Sequence, residues 1–452
     1  MRILHTADWH LGRLFFGMQL VPDQAHVLDQ LVALVADARP DVVVIAGDIY
    51  DRAVPPPEAV DLLDDVLCRL VIGQATPVIL IAGNHDSPGR LEFGSRLLEA
   101  RRLHVRGALR SPIEPVNFQD TDGPVHFYPV PYAEPSTLRH ALKEETVVDH
   151  ASGMRAVTSA IRAADPSAAR RVLIGHAYVA GGEPCGESER PLSVGGAGTV
   201  DRACFEGFQY TALGHLHRPQ SIGAAIHYSG AILKYAFDES DQERGVILAN
   251  LAGDGSCAIE RIALTPRRQL RRIRGRMADL LAGEAAAFGA ACDDYIEATL
   301  LDDGPIVDAM IRLRAAWPNV LQVRREAIAS LAQRSGDRPD VRGISEIDLF
   351  TSFFQHVTGS APSDEQRQAM IEITDEMDRH RREADSAARP ETAAQPIGAA
   401  TNRSAGRAAR RSAAKAAGAS PIPAAAAPSA TAVDDPTPTS GPVPTDSPAE
   451  VE

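Results

Sequence analysis

The first 105 residues alternate between short apolar runs and longer stretches with helical spacing. Two runs, at residues 42–45 and 78–81, are continuous and rich in β-branched side chains, as is typical of strands buried on both faces. Between them, apolar positions recur every three or four residues in two groups: Val27, Leu28, Leu31, Val32 and Val35, and then Val60, Leu63, Val66, Leu67 and Leu70. This alternation predicts βαβ units and a sheet with parallel strands.

The same type of pattern continues to about residue 265. A further buried strand is predicted at residues 172–174, followed by a β-rich stretch from about 205 to 263. We therefore predict one α/β domain over residues 1–265. A basic segment begins after Pro266, and we interpret residues 266–330 as a smaller second domain. The arginines of this basic segment are Arg267, Arg268, Arg271, Arg272, Arg274 and Arg276.

The C-terminal third is predicted to contain a linker, a helix pair and a tail. Residues 331–344 are rich in Gly, Pro and charge, and residues 345–381 predict two helices with N-caps at Ser345 and Ser363. Gln366 would complete a capping box with Ser363. Residues 382–452 are dominated by Ala, Pro, Ser and Thr and are predicted to be disordered. The helix pair carries an apolar stripe: Leu349, Phe350, Phe353, Phe354, Val357, Met370, Ile373 and Met377.

The composition is that of a globular protein with several domains. The chain has 452 residues and a net charge of -14, and 44% of its residues are hydrophobic, which is enough for two or three domains. It contains no run of eighteen apolar residues and does not begin like a signal peptide, so we predict a cytoplasmic protein without a membrane span. The five cysteines are scattered and are interpreted as reduced thiols.

Five short motifs place Asp, Asn or His directly after predicted strands. They are Asp8-Trp9-His10, Gly47-Asp48, Gly83-Asn84-His85-Asp86, Gly175-His176 and Gly214-His215-Leu216-His217. Open α/β sheets bind ligands at the carboxyl ends of their strands. Residues two apart on an extended chain point to the same side, so D-x-H and H-x-H each direct two side chains at one point.

The motifs supply seven candidate metal ligands. These are Asp8, His10, Asp48, Asn84, His176, His215 and His217. Seven donors are too many for one divalent ion with open positions, but they suit two ions that share Asp48, as in two-metal phosphoester enzymes. Oxygen and imidazole donors without thiolate favour Mn²⁺, with Fe²⁺ and Zn²⁺ as alternatives.

The ordered set of motifs resembles the calcineurin-like metallophosphoesterase superfamily. Within it, longer segments look like the SbcD-type nuclease subunits of bacterial SbcCD complexes: MRILHTADWHLG, GDIYDRAVPP, GNHDSPGRL, GHLHRPQ and YSGAILKYAFDE. The resemblance extends over residues 1–380. It implies a β-sandwich flanked by helices, a small α/β capping domain and a C-terminal helix pair.

The resemblance also implies roles for the motif residues. Asp8, His10, Asp48 and His217 would hold one metal, and Asn84, His176 and His215 would hold the second together with Asp48. His85 would be the catalytic histidine, which stabilises the transition state or protonates the leaving oxygen. Asp86 would either orient His85 or simply form the turn. Asp51-Arg52 stands where archaeal and eukaryotic relatives carry a second histidine.

The substrate and partners follow from the resemblance together with local charge. Arg267, Arg268, Arg271 and Arg272 are candidate DNA contacts, although a solvated face is the simpler alternative. The implied activity is ATP-dependent 3'-to-5' exonuclease action on duplex ends and endonuclease action on hairpins and single strands, in recombination and repair. The implied partners are a second copy, through helices near 56–71 and 88–102, and an SbcC-type ABC ATPase docked on the apolar stripe, giving a heterotetramer.

Two other classes of function stay open at this stage. One is a stand-alone phosphoesterase of small or nucleotide substrates, which would need neither a helix pair nor an ATPase. The other is a non-catalytic subunit that tethers DNA, which would have lost metal ligands. None of the seven candidate ligands is missing from this chain.

Overall fold

We describe the fold from a computed structural model of the chain. It describes residues 1–166, 170–185, 188–189, 198–283, 288–302, 306–326 and 346–387. The predicted linker at 331–344, the N-cap at Ser345 and the tail from residue 388 onward lie outside these described residues. Met1–Glu376 form one compact unit and Met377–Glu452 another.

The strands are, in chain order, β1 (Arg2–Thr6), β2 (Leu14–Phe15), β3 (Met18–Gln19), β4 (Val42–Ala46), β5 (Val78–Ile81), β6 (Leu103–Arg106), β7 (Val116–Asp120), β8 (Gly123–Val130), β9 (Arg171–His176), β10 (Tyr178–Val179), β11 (Thr199–Val200), β12 (Tyr210–Gly214), β13 (Gln220–Ile222), β14 (Ile226–Tyr228), β15 (Gly245–Leu251), β16 (Cys257–Ala263), β17 (Leu270–Gly275), β18 (Tyr295–Leu300) and β19 (Val320–Arg325).

The α-helices are α1 (Val21–Ala38), α2 (Pro57–Cys68), α3 (Pro88–Leu91), α4 (Ser95–Leu98), α5 (Pro135–Leu142), α6 (His150–Ala164), α7 (Met277–Ala282), α8 (Ala309–Ala316), α9 (Glu346–Thr358) and α10 (Asp364–Ala387). Arg69–Gly73 continue α2 as a π-helical turn, and short 3-10 helices lie at Glu99–Arg101, Arg202–Phe205 and Phe237–Glu239.

Two six-stranded sheets form the larger domain. The first has the strand order β16-β15-β1-β4-β5-β6, and the second has the order β13-β14-β12-β9-β8-β7. Strands β1, β4, β5 and β6 are parallel, which confirms the predicted βαβ units with α1 and α2 as crossovers. The predicted strands at 42–45, 78–81 and 172–174 are confirmed as β4, β5 and the middle of β9.

The sheets pack face to face. Val44 and Ile79 of the first sheet share a buried core with Phe127, Ile174 and Ala212 of the second. A separate cluster covers the outer face of the first sheet with α1 and α2, and another covers the second sheet with α6. The larger domain is therefore a β-sandwich with helices on both outer faces, as predicted.

The smaller domain is a parallel three-stranded sheet, β17-β18-β19, with α7 and α8. It has its own core around Leu280, Ile296 and Trp317, while Leu270 and Tyr295 pack into the core of the larger domain. Much of the arginine run lies on β17, where Leu270 and Ile273 are buried and Arg271 and Arg272 are exposed. Arg271, Arg272 and Arg274 thus belong to a strand, while Arg267, Arg268 and Arg276 flank it.

The C-terminal helix pair is confirmed as α9 and α10. The backbone N–H of Ser363 donates to Gln366 Oε1 at 2.9 Å, and the Gln366 N–H donates to Ser363 Oγ at 3.3 Å, so the predicted capping box is present. The predicted start of the tail at residue 382 is wrong, because α10 continues to Ala387. The last turns, RREADSA from Arg381 onward, include several good helix formers. Within the described residues, no helix combines the length and the apolar character that membrane crossing requires.

Candidate metal centre

All seven predicted ligands lie together where the carboxyl ends of the two sheets meet. Asp8 and His10 follow β1, Asp48 follows β4 and Asn84 follows β5 in the first sheet. In the second sheet His176 ends β9, and His215 and His217 follow β12. The strands that carry ligands run parallel to one another within each sheet, β1, β4 and β5 in the first and β9 and β12 in the second, so one edge of the sandwich collects all of these side chains.

The backbone at this edge is held in an unfavourable conformation. Asp8, His10, Asp48 and His215 have φ values of 53°, 45°, 49° and 100°. Such a conformation destabilises a residue that has a Cβ by about 1–3 kcal/mol, and it persists only where surrounding contacts hold it. Here the Asp8 N–H donates to Gly47 O and the His10 N–H donates to Asp48 O, both at 3.0 Å. These bonds join the two loops and aim the ligands inward.

Two glycines allow the ligand loops to approach each other closely. A Cβ on Gly83 would lie 2.1 Å from Asp48 Oδ1, and a Cβ on Gly47 would lie 2.3 Å from His176 Nδ1. Gly47 also has a φ of 90°. Any side chain at either position would push a metal ligand out of place.

The first group of donors contains Asp8, His10, Asp48 and His217. The Nε2 atoms of His10 and His217 are 3.0 Å apart, and His10 Nε2 lies 3.6 Å from Asp48 Oδ2. Asp8, His10 and His217 each offer one atom within 4.8 Å of the others. This is the first ligand set that the resemblance implied.

The second group contains Asn84, His176, His215 and again Asp48. Asn84 Oδ1 lies 3.0 Å from His176 Nε2 and 3.2 Å from His215 Nδ1. His176 Nε2 is 3.4 Å from Asp48 Oδ2. The same Asp48 oxygen therefore faces both groups, which is the position of a bridging ligand.

The donor chemistry fits cations. His176 Nδ1 lies 2.9 Å from the Ala46 carbonyl, which can only accept, so Nδ1 carries the proton. In the neutral form of the ring, Nε2 of His176 then presents a lone pair to two further acceptors, Asn84 Oδ1 and Asp48 Oδ2. Acceptors that converge in a buried space repel one another unless a positive charge lies among them.

The pKa values also indicate that the carboxylates of this site favour a positive charge beside them. Burial lowers the pKa of His176, but Asp48 and Asp8 outweigh burial and raise it to about 9. Burial would raise the pKa of Asp48, yet His176 and His10 hold it well below its ordinary value. Burial also lowers the pKa of His215 to about 3, so this ring is neutral and free to act as a ligand.

Glu239 lies in one of the segments that carry the resemblance, but no sequence signal gave this residue a role. Glu239 is fully buried, and its Oε1 lies 3.4 Å from His217 Nδ1. The same Oε1 accepts a hydrogen bond from Ser188 Oγ, which itself lies 2.8 Å from His217 Nδ1. Its Oε2 accepts from the Tyr235 N–H at 2.6 Å and lies 2.7 Å from the Arg244 guanidinium. Because the Ser188 hydroxyl donates to Glu239, its Oγ accepts from Nδ1 of His217, and Nε2 is left as the atom that faces the candidate metal position.

His85 is fixed by contacts on both sides. Its N–H donates to Asp48 Oδ1 at 2.9 Å, and its Nδ1 lies 2.7 Å from the Asp51 carbonyl. Nδ1 must donate to that carbonyl, which leaves Nε2, 4.0 Å from Asp48 Oδ2, turned towards the metal ligands. Asp51 therefore contributes a backbone atom to the site.

The predicted alternative in which Asp86 orients His85 is not what the contacts show. Asp86 Oδ2 accepts from the N–H groups of Ile49 and Gly83 at 3.0 and 2.9 Å, and Oδ1 accepts from Tyr50 at 2.9 Å. Burial and the nearby Asp48 raise the pKa of Asp86 to about 6. Asp86 thus ties the Asp48 loop to the Asn84 loop, while the Asp51 carbonyl orients His85.

The candidate DNA contacts lie beside acidic groups. Arg268 lies 3.4 Å from Asp23, and Arg272 lies 3.1 Å from Glu297. Arg271 is 3.7 Å from Asp294, whereas Arg267 is exposed. The run is therefore partly neutralised by acids that come from other segments.

The apolar stripe is partly visible. Phe353 and Ile373 are exposed, at 65% and 54%, and Phe350 and Phe354 lie with ring centroids 5.7 Å apart. Met370 is half-buried. The side chains of Leu349, Val357 and Met377 lie outside the described residues.

Two family matches divide the chain near the predicted boundary. Residues 1–219 match the calcineurin-like phosphoesterases. The N-terminal region is therefore similar to calcineurin-like phosphoesterases. Residues 266–358 match SbcD_C, described as the type 5 capsule protein repressor C-terminal domain. This second match covers the small domain and α9.

Several solved structures are distantly similar. TT1561 of Thermus thermophilus is 11% identical, with 57% of this chain and 98% of that chain covered and a TM-score of 0.34. A dimetal phosphatase from Danio rerio is 13% identical, with 59% and 99% covered and a TM-score of 0.34. Calcineurin-like phosphoesterase YfkN from Bacillus subtilis is 13% identical, with 59% and 90% covered and a TM-score of 0.29.

The calcineurin-like match and the donor geometry agree on the type of chemistry. Residues 1–219 are similar to a family of phosphoesterases, and the Asp and His clusters of this region are able to hold metal ions. The predicted β-sandwich fold and the hydrolase class are both confirmed at this level.

Proposed function

We propose that this chain is the nuclease subunit of an SbcCD-like complex, which cleaves DNA phosphodiesters with two metal ions and works with an SbcC-type ATPase. The observation that carries the proposal is the pair of donor groups that share Asp48 Oδ2. The match of residues 266–358 to SbcD_C supports the choice of a nuclease over other phosphoesterases.

The chemistry rests on the two donor groups and His85. Two divalent cations held there would neutralise phosphate oxygens and activate water for in-line attack, and Mn²⁺ is the cation we favour. Nε2 of His85 faces the site with Nδ1 fixed on the Asp51 carbonyl. It can carry a proton to the leaving oxygen, and the fixed ring keeps that atom in place.

We propose that DNA reaches this centre past the small domain. Arg267 is exposed, and Arg271 and Arg272 lie on β17 with side chains that are about two-fifths exposed. Duplex phosphates would compete with Asp294 and Glu297 for these guanidinium groups, so the contacts should be salt-sensitive.

The homodimer and the ATPase contact are supported by exposed apolar side chains. Phe93 and Leu97, next to α3 and in α4, are 86% and 81% exposed, and Ile72 at the end of α2 is 73% exposed. These positions fall in or beside the two segments where the resemblance implies a second copy. Phe353 and Ile373 on α9 and α10 are exposed in the helix pair that would dock the ATPase.

The stand-alone phosphoesterase remains the second candidate because of one observation. Three of the four predicted DNA-contacting arginines lie within 4 Å of carboxylates of this chain, which weakens the basic patch. Such an enzyme would hydrolyse small phosphodiesters and show no response to an ATPase.

The test is a comparison of substrates and chain lengths. We expect the purified chain with Mn²⁺ to cut single-stranded oligonucleotides, and to digest blunt duplexes when the ATPase partner and ATP are added. A chain ending at Gly343 should keep its metals and its cutting of single strands but lose binding to the ATPase. A chain ending at Ala387 is the control and should behave like the full chain. Hydrolysis of small esters without any cleavage of DNA would favour the second candidate.

A further inference from the structure

A small hairpin beside the metal centre exposes three large apolar side chains. Strands β2 and β3 are joined by Phe16 and Gly17. Leu14, Phe16 and Met18 are 48%, 54% and 39% exposed, while Phe15 between them is buried. We call Leu14, Phe16 and Met18 the hairpin cap. Met18 is paired with Phe15 and Leu14 with Gln19, so Leu14 and Met18 lie on opposite faces of the hairpin and Phe16 stands at its tip.

The hairpin is anchored firmly at its base. The buried Phe15 ring lies 5.2 Å from the ring of Phe237 and 6.4 Å from that of Tyr295. The Arg13 N–H donates to the His10 carbonyl at 3.1 Å, and the Leu20 N–H donates to the Arg13 carbonyl at 3.2 Å. The cap is therefore held in a fixed position relative to the metal ligand His10.

The base of the hairpin also borders the catalytic centre. The Arg13 guanidinium lies 3.2 Å from Asp51 Oδ1 and 4.9 Å from the centre of the Tyr235 ring, which is itself 5.4 Å from the ring of His10. Asp51 N–H donates to Leu11 O at 3.1 Å, so the loop that continues to the exposed Arg52 runs beside the hairpin. Apolar and cationic groups thus stand together at the rim.

The turn itself places Phe16 at a conformational cost. Phe16 has a φ of 49° and Gly17 a φ of 82°, as in a type I′ turn. Asn, Asp or Gly is preferred at the first of these positions, because a large side chain is strained there. Strain at a surface position that also exposes an aromatic ring suggests a role for the ring.

We propose that the hairpin cap binds a nucleobase of the strand whose phosphate enters the metal centre. This deepens the proposed function and rests on it. Stacking on an aromatic ring is independent of base sequence, and the exposed Arg52 suits a flanking phosphate. The guanidinium of Arg13 is held by Asp51 and the Ser188 carbonyl and keeps the base of the hairpin in place. A nucleic-acid strand is favoured over a protein because the base of the hairpin borders the candidate phosphoester site and the loop beside it carries the exposed cation Arg52.

The test compares removal of the Phe16 ring from the protein with removal of one base from the oligonucleotide substrate. Phe16→Ala in the full chain with Mn²⁺ should cut a single-stranded oligonucleotide about tenfold more slowly, because one stacked base is lost. Phe16→Tyr should restore most of the rate. An abasic residue at one position beside the scissile phosphate should slow the wild type to the rate of Phe16→Ala and slow the variant no further. Ile311→Ala, which alters an exposed side chain of the small domain, is the control and should cut normally.

Three results would overturn the proposal. Normal oligonucleotide cutting by Phe16→Ala would show that the ring does not contact the strand. An equal fall in hydrolysis of bis-p-nitrophenyl phosphate would show that Phe16 only supports the fold. Normal cutting with weakened binding to the ATPase would make the hairpin a protein contact. If the wild type hydrolyses the small ester but cuts no oligonucleotide, the proposed function has failed and this proposal fails with it.

Discussion

Replacing Glu239 by Gln should impair one metal position and spare the other. Glu239 Oε1 lies 3.4 Å from His217 Nδ1, and Oε2 pairs with Arg244 at 2.7 Å. A Gln side chain satisfies Arg244 and the Tyr235 N–H best through its oxygen, which turns its amide N–H towards His217. The imidazole would then accept at Nδ1 and carry its proton on Nε2, the atom that faces His10.

The expected loss can be estimated from these contacts. Removing a group that orients a ligand histidine costs about 10–100-fold in metal affinity. Leaving a buried guanidinium without its carboxylate destabilises a protein by about 3–5 kcal/mol, and the Gln oxygen should recover part of this for Arg244. The second position is built on the mutual contacts of Asn84, His176 and His215, so it should keep its affinity.

Calorimetric titration with Mn²⁺ measures both positions at once. The wild type should show two tight sites, and Glu239→Gln should show one tight and one weakened site. Glu183→Gln is a matched control, because Glu183 forms an exposed ion pair with Arg218. Two unchanged sites in Glu239→Gln, or the loss of both in a folded protein, would refute the role assigned to Glu239.

Three further predictions follow from the same structure. His85→Ala should retain both metals by elemental analysis but lose most turnover, since the hydrogen bond from His85 to Asp48 comes from its backbone N–H; loss of metal would contradict this. Gly83→Ala should lower the number of metal ions bound per chain, because the new Cβ would lie 2.1 Å from Asp48 Oδ1. If the variant bound as much metal as the wild type, the close approach of Gly83 to Asp48 would not be needed for metal binding. Burial lowers the pKa of His5 to about 3 in the folded protein, compared with 6.5 for an exposed histidine. The free energy of unfolding is therefore unaffected by His5 above the pKa of the unfolded chain, and it decreases as the pH falls from about 6.5 towards 3, because protons bind to the unfolded chain first. When the pH is lowered from 7.5 to 5.5, the free energy of unfolding measured with urea should decrease by about 1.4 kcal/mol more in the wild type than in His5→Gln. Equal decreases in the two proteins would contradict a neutral buried His5.

The gathering of the candidate metal ligands at one edge of the sandwich could be predicted because their signals are local. Each motif follows an apolar strand, and parallel strands bring their carboxyl ends to one edge, so Asp8, Asp48 and His176 could be placed together without any structure. The apolar periodicity of α1 and α2 likewise needed only neighbouring residues. The apolar strands were also predicted to be buried on both faces, and a β-sandwich with helices on its outer faces buries them in this way.

The contacts that could not be predicted join distant segments. Glu239 reaches His217 only after β14 and the following loop return the chain to the metal centre. Arg272 meets Glu297 because β17 and β18 are paired in register, which the spacing of arginines does not reveal. Asp86 binds backbone N–H groups of another loop rather than the histidine beside it in sequence. Adjacency in sequence was a poor guide in each case.

Counting the metals bound to the wild type and to Asp48→Ala tests the central claim most directly. Asp48 Oδ2 lies 3.6 Å from His10 Nε2 and 3.4 Å from His176 Nε2, so it should bridge the two positions. We predict two spin-coupled Mn²⁺ ions per wild-type chain by elemental analysis and electron paramagnetic resonance, and loss of both ions and of phosphodiesterase activity in Asp48→Ala. A wild type that binds a single ion, or an Asp48→Ala variant with full activity, would contradict the two-metal account.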